Sequence, residues 1–330
     1  IQSYSKLPYI FTMAGFPQTQ TVLFRDFPDV FAPEFEKLAE DFAHQLESIR
    51  DNPLVIGYFM TNEPKWAFIP EFDLAAHLLR FPKPSQTRSE LLAWLRKRYE
   101  GDVARLNQKW GSSFDSWDAF DDPLDVDQFS GAREDTSRFT AIAVQRFVEI
   151  PARACKRIAP NHLNLGLRWA WIHSDYQLLG AEYLDAFSIN CYQLRPDPEL
   201  IRRLSEKSGR PLVIGEFHIG SLDRGLPSGG IRNTMTMQES VNAYRYYVEQ
   251  AASLPQLIGV HYFQWNDQHV MGRFDGENMQ IGLNDITGRL YPEWLDMCAT
   301  LHPRLYAIHA GHLAPYETPP EVVPQGTLCW

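Results

Sequence analysis

The chain has 330 residues, 44% hydrophobic and 22% charged, and no apolar run approaches the roughly 18 residues that a membrane-spanning helix needs, so a globular chain outside the membrane is expected. Against 41 Asp and Glu stand 31 Lys and Arg, a net charge of -10. That charge repels phosphate backbones, which argues against nucleic acid and for a neutral ligand.

In chain order, a short β-rich run at residues 7–13 is followed by a helical pattern over 33–50, with Pro33 in the first turn, where proline is tolerated. A second apolar strand, 54–60, runs into Thr61-Asn62-Glu63-Pro64. Residues 68–133 are too long for an ordinary strand-to-helix loop; they carry a helical pattern over 89–99 and the aromatic cluster Trp110, Phe114, Trp117 and Phe120, and read as an insertion. A helix over 136–158 leads to a strand over 163–170 holding Arg168 and Trp169, then to one over 186–192 holding Asn190 and Tyr192. After a helix at 198–207, the strand 212–218 places Glu216 and His218 on one face by its period of two. A helix at 237–253, a strand at 258–265 ending in Trp265, a charged loop from Asp267 and a helix at 292–301 opened by Pro292 complete the series. The tail, 310–330, holds Pro315, Pro319, Pro320 and Pro324 and is expected to be extended.

Strands alternating with helices are the mark of βαβ units on a parallel sheet. The fold expected is α/β, a (β/α)8 TIM-type barrel of which six units are visible; a closed barrel needs eight strands. The remaining two are expected before Ile1, and the chain, lacking an initial Met or a leader, reads as a processed or trimmed product. One catalytic unit over 1–309, with 68–133 inserted on its active-site face, is expected. Cys155, Cys191, Cys298 and Cys329 form no C-x-x-C pair, so free thiols are expected rather than a zinc site.

Two strand-end glutamates stand out. Barrel enzymes keep catalytic groups at the C-terminal ends of strands, where Glu63 and Glu216 both fall. A lone glutamate there is more often a surface or helix-capping residue; a pair, one preceded by Asn62, fits an acid and a nucleophile flanking a glycosidic bond, about 5 Å apart in the retaining mechanism. The nine Trp and fourteen Tyr offer flat faces that stack on sugar rings, as well as core filling.

Asn62-Glu63 on a fourth strand and Glu216 on a seventh resemble the acid/base and nucleophile of clan A glycoside hydrolases. Within that clan, the stretches from Gly215 to Gly225, from Gln264 to Gln268 and from Gly272 to Asn278 are similar to family 50, the β-agarases. Tyr99-Glu100-Gly101, with the run from Leu106 to Gly111, resembles the family 42 β-galactosidases more distantly. The resemblance makes Glu63 the acid/base and Glu216 the nucleophile of a retaining enzyme. It departs from the agarase pattern at Pro64-Lys65-Trp66, and no N-terminal sugar-binding domain is visible.

Around the pair, each further residue has a structural alternative. Trp265 is read as the floor of the subsite for the cleaved sugar or as a barrel-mouth core residue. Arg168 meets a substrate hydroxyl or a neighbouring carboxylate. Asn190 belongs to the expected site, and Tyr192 either hydrogen-bonds the nucleophile or fills core. His218 contacts sugar or is a satisfied interior histidine, and His261 is structural. Asp267, with Arg273, Asp275 and Glu277, binds sugar or braces its own loop. Metalloprotease, nucleotide-binding and serine-hydrolase motifs are absent, so no metal or cofactor is expected.

The function expected is hydrolysis of β-galactosidic bonds in agarose-type or related galactan oligosaccharides. A β-galactosidase, another clan A glycosidase and a non-catalytic carbohydrate-binding barrel are the alternatives. An oligo- or polysaccharide is the expected partner, homo-oligomers are left open, and a secreted or periplasmic location is favoured over a cytoplasmic one.

Overall fold

The opening apolar run forms β1 (Tyr9–Thr12), after which β2 (Val22–Phe24) and β3 (Phe27–Pro28) make a short antiparallel hairpin. The computed structural model describes residues 6–323, and its contacts divide into two compact units, one extending to Phe187 and one from Ser188. In the first unit, α1 (Pro33–Ala43) begins on proline and buries Phe35, Ala39, Phe42 and Ala43 along one stripe. The helical pattern expected to reach Arg50 stops earlier: a 3-10 turn over His44–Leu46 and further turns replace it.

Next comes β4 (Val55–Phe59), central in a parallel sheet between β1 and a strand later in the chain. Then α2 (Leu74–Arg80), α3 (Gln86–Arg98) and α4 (Val103–Trp110) lead into the long α5 (Ala132–Ile158). The partner strand of β4 is β5 (Leu163–Asn164), and the two approach so closely that a Cβ on Gly57 would lie 2.3 Å from the Leu163 carbonyl oxygen. No larger residue fits there. The strand expected over 163–170 is regular for only two residues, because Gly166 (φ 82°) and Arg168 (φ 50°) turn into the left-handed region. Pairing with the β4 end nevertheless continues through Leu165 N–H to Tyr58 O (2.9 Å) and Met60 N–H to Gly166 O (2.9 Å).

One buried carboxylate joins three of these helices. Asp135, with no exposed surface, accepts from Tyr99 Oη at 2.5 Å and Trp110 Nε1 at 2.8 Å, and pairs with Arg98 Nε at 2.6 Å. Burial, and then the adjoining carboxylate, push the Tyr99 phenol up to about 12, so it stays a donor. Trp110, Phe114, Phe120 and Phe129 pack into a cluster beneath.

The second unit has a sheet ordered β10, β7, β6, built from β6 (Phe187–Asn190), β7 (Leu212–Phe217) and β10 (Leu257–Tyr262), with β10 parallel to β7. Between β6 and β7 lies α6 (Pro198–Ser208), opened by the Asp197 cap and Pro198 and closed on Gly209 at φ 65°. Beyond β7, the short pair β8 (Gly220–Ser221) and β9 (Asn233–Thr234) precedes α7 (Met237–Ala252), which starts with a Thr236/Glu239 capping box. Two last helices, α8 (Pro292–Leu301) and α9 (Leu305–His309), pack against α7. All residues of β7 are buried, and Phe217 stacks on Tyr247 with centroids 3.9 Å apart. The tail is latched to α7 through buried Glu249, which accepts from Tyr316 N–H at 2.7 Å and pairs with Arg245 and Arg304.

All six expected strands and all six expected helices are present, as an α/β architecture with parallel pairing. Cys155 and Cys191 are free and buried and Cys298 is free and half-buried; Cys329 lies outside the described residues, as does the end of the expected tail. Among the described residues no helix is long and apolar enough to cross a membrane.

Asp135→Ala would leave a phenol, an indole N–H and a guanidinium without their shared acceptor. It should lower the unfolding free energy by about 3 kcal/mol, measured by urea titration, and Asp135→Asn should lose less.

Candidate active site

In the first unit, Glu63 emerges just past the end of β4, three residues beyond buried Met60. Its backbone is left-handed, φ 51°, a conformation that costs a non-glycine residue about 1–3 kcal/mol and persists only where its surroundings enforce it. Those surroundings are identifiable. The Glu63 N–H donates to Arg168 O at 3.2 Å, and Arg168 is itself left-handed. On the other side, Asp26 accepts the N–H groups of Lys65 (2.7 Å) and Trp66 (2.9 Å), while Arg25 donates to Lys65 O at 3.3 Å. Trp66 is 1% exposed, against Phe27, Phe72, Phe147 and Trp169 at centroid distances of 4.7–5.6 Å.

Half-buried Glu63 and exposed Asn62 are thus presented on a turn nailed down by a buried indole. The Arg168 guanidinium lies 5.1 Å from the Phe59 ring centroid, so both its backbone and its side chain belong to this cluster.

In the second unit, Glu216 comes near the end of β7 and is only 7% exposed. Tyr192 Oη donates to Glu216 Oε2 at 2.6 Å. Neighbouring backbone reinforces the pair, with Cys191 N–H donating to Glu216 O at 2.9 Å and Arg232 Nε to Tyr192 O at 2.8 Å. A hydrogen bond to a carboxylate is worth more than one between neutral groups, and burial withholds the competing water.

His218 shares the Glu216 face, its ring edge-on to Tyr192 with centroids 4.8 Å apart. Its Nε2 accepts the Ile231 N–H at 2.8 Å, which leaves the ring proton on Nδ1. Gly230, at φ 80°, makes this approach feasible: a Cβ there would lie 2.4 Å from His218 Nε2. Burial pushes the His218 imidazole down to about 3.

Asn190 is 5% exposed at the end of β6, and Trp265 is 63% exposed, following the cis peptide Phe263–Gln264. Buried Asp267 accepts Gly282 N–H (2.7 Å) and Tyr291 Oη (2.6 Å), so its oxygens brace the loop that follows. Desolvation raises its pKa.

The second unit therefore brings Glu216, Tyr192 and His218 together, and the first brings Glu63, Asn62 and Arg168 together. Sequence reasoning overlooked Asp26, Arg232, Ile231 and Gly230, which act across long chain separations; the nearest signal was the Gly229-Gly230 pair. Among the described residues, no three His, Cys, Asp or Glu side chains are grouped to hold a metal ion.

Comparison with known proteins gives three kinds of match. A family model described as beta-galactosidase, Glyco_hydro_42, covers residues 24–215. Beta-agarase B of Vibrio sp. (strain JT0107) is 27% identical over 292 residues, 85% of this chain and 30% of that protein. Beta-agarase A of the same organism is 26% identical over 302 residues, 86% of this chain and again 30% of its relative. The chain thus spans under a third of the length of these curated relatives. Among solved structures, an exo-beta-agarase superposes with a TM-score of 0.83 at 28% identity, covering 93% of this chain and 43% of that one.

Protonation of His218 is blocked in the folded chain down to about pH 3 but available to the unfolded chain below about 6.5. The unfolded state then binds the extra proton, so stability should fall as pH drops from 6.5 towards 3, by at most about 1.4 kcal/mol per pH unit. Urea titrations across that window should show the slope reduced in His218→Gln, which keeps an acceptor for the Ile231 N–H.

Proposed function

The chain belongs to the clan A glycoside hydrolases, in the beta-galactosidase family whose model spans residues 24–215, and on that premise we propose that it hydrolyses β-galactosidic bonds in agarose-type or related galactan oligosaccharides with retention of configuration. In this reading residues 1–309 form one catalytic (β/α)8-type barrel, 68–133 an insertion on its active-site face and 310–330 an extended tail. The likeness to two beta-agarases and an exo-beta-agarase over 85–93% of the chain supports the galactan substrate. A polymer of that kind is met outside the cytoplasm, so the protein is secreted or periplasmic.

The observation that carries the chemistry is the buried Glu216 carboxylate fixed by Tyr192 Oη at 2.6 Å. A nucleophilic carboxylate must present one oxygen in a fixed direction, and donation from a phenol stabilises its charged form. In the first step Glu216 attacks the anomeric carbon while Glu63 gives its proton to the departing glycosidic oxygen, leaving a covalent glycosyl ester. In the second, Glu63 takes a proton from water, the hydroxide attacks the same carbon, and Glu216 leaves as carboxylate. Asn62, Arg168 and Asn190 hold sugar hydroxyls, His218 packs on Tyr192 beside the nucleophile, Asp267 fixes the loop bordering them, and Trp265 offers a face to the sugar ring.

Glu216→Ala should abolish turnover of an activated β-galactoside, and azide should restore it, giving an inverted glycosyl azide; unchanged hydrolysis by the variant would refute the assignment. Tyr192→Phe removes one hydrogen bond to a charge and should lower kcat about 10- to 100-fold. Product analysis on agarose-derived and other β-galactosidic oligosaccharides separates the agarase reading from a β-galactosidase confined to short galactosides. A chain that binds these sugars and cleaves none is a carbohydrate-binding module.

A further inference from the structure

Phe274 is 99% exposed, yet it stands on a loop held by several hydrogen bonds. Buried Gln268 clamps that loop at its base: its N–H donates to Met279 O (3.0 Å), its Oε1 accepts Met279 N–H (2.8 Å), and its Nε2 donates to Glu277 Oε2 (2.8 Å). Within the loop, Arg273 N–H donates to Glu277 O at 2.7 Å and Gly276 N–H to Arg273 O at 3.0 Å, with Gly272 and Gly276 supplying positive φ. Water alone gives no reason to hold a phenyl ring and the neighbouring Met271, 84% exposed, on such a support.

Side-chain contacts connect this ring to the nucleophile. The Arg273 guanidinium carbon lies 5.7 Å from the Phe274 centroid and 5.5 Å from that of Phe263. Phe263 stands 6.3 Å from His218, His218 stands 4.8 Å from Tyr192, and Tyr192 donates to Glu216. Arg273 is also paired with Asp275 and, at 2.9 Å, with Glu277, so its charge is offset. With Arg273 set against Asp275 and Glu277, the loop offers an apolar face on a weakly negative support, which disfavours an anion and suits the uncharged C–H face of a pyranose.

We propose that Phe274, flanked by Met271, is a stacking platform for a neutral sugar residue of the same chain beyond the cleavage position, and that it makes turnover depend on substrate length. This rests on the hydrolase reading above. The loop beneath the ring is already braced, so stacking there adds affinity without ordering the loop backbone.

The test compares the wild-type protein with Phe274→Ala and Phe274→Trp on 4-nitrophenyl β-galactoside and on neutral galactan oligosaccharides of increasing length. Phe274→Ala should raise KM for the longer oligosaccharides about tenfold and leave the aryl galactoside unchanged, while Phe274→Trp should keep the length preference. Equal losses on both substrates, or none, would overturn the proposal, as would a change in sedimentation showing that the ring joins two copies of the chain. Should the wild type cleave neither substrate, the hydrolase reading fails, and calorimetric affinities for the same oligosaccharides decide the platform. Weaker binding by Phe274→Ala then supports it; equal binding, or none by the wild type, overturns it.

Discussion

The second unit is organised around the need to satisfy one buried carboxylate. Removing Glu216 from water costs several kcal/mol unless other partners replace the lost hydration; the Tyr192 phenol and the Arg273 charge are two of them. The phenol is itself fixed. Arg232 holds the Tyr192 carbonyl, Cys191 N–H bonds to the Glu216 carbonyl, and His218 bears on the Tyr192 ring while Ile231 N–H occupies its acceptor nitrogen. The loop from Gly229 to Arg232 thus has two grips on the neighbourhood of Glu216, and the left-handed Gly230 lets it approach.

In the first unit the balance is between strain and burial. Glu63 and Arg168 are adjacent left-handed residues joined by a backbone hydrogen bond, together costing a few kcal/mol. Burying the Trp66 indole among four aromatic rings contributes about as much, and the two N–H groups satisfied by Asp26 add more. Pro64-Lys65-Trp66, which departs from the agarase pattern, is therefore part of the support that holds Glu63 at the strand end.

Elements whose signal is local were legible in the sequence. Apolar runs ending in Glu63 and Glu216, the proline starts of α1, α6 and α8, and the period that sets Glu216 beside His218 are all read within a few residues. The strand expected over 163–170 exceeds β5 because the backbone turns left-handed at Gly166 and Arg168, and at Arg168 no side-chain signature marks that turn. The helix expected over 33–50 exceeds α1 because an apolar pattern continues through Leu46 and Ile49, which the 3-10 turn over His44–Leu46 and the turns after it bury as well as an α-helix does. Asp26 and Arg232 were invisible for another reason: surface-type residues gain their roles from partners 40 positions away. Asp267 carried two open readings, and the Gly282 and Tyr291 donors on its oxygens give it a bracing role.

The thiols have a use of their own. Cys155 lies in the middle of the first unit's packing, its sulfur 3.9 Å from that of Met13, and Cys191 adjoins β7 in the second. Each is shielded from solvent, and burial pushes both thiols up, Cys155 to about 12, so neither reacts with an alkylating reagent until its surroundings open. One buried reporter therefore sits in each compact unit, apart from the half-buried Cys298 of the second, and the order in which Cys155 and Cys191 become modified records which half of the chain breathes first.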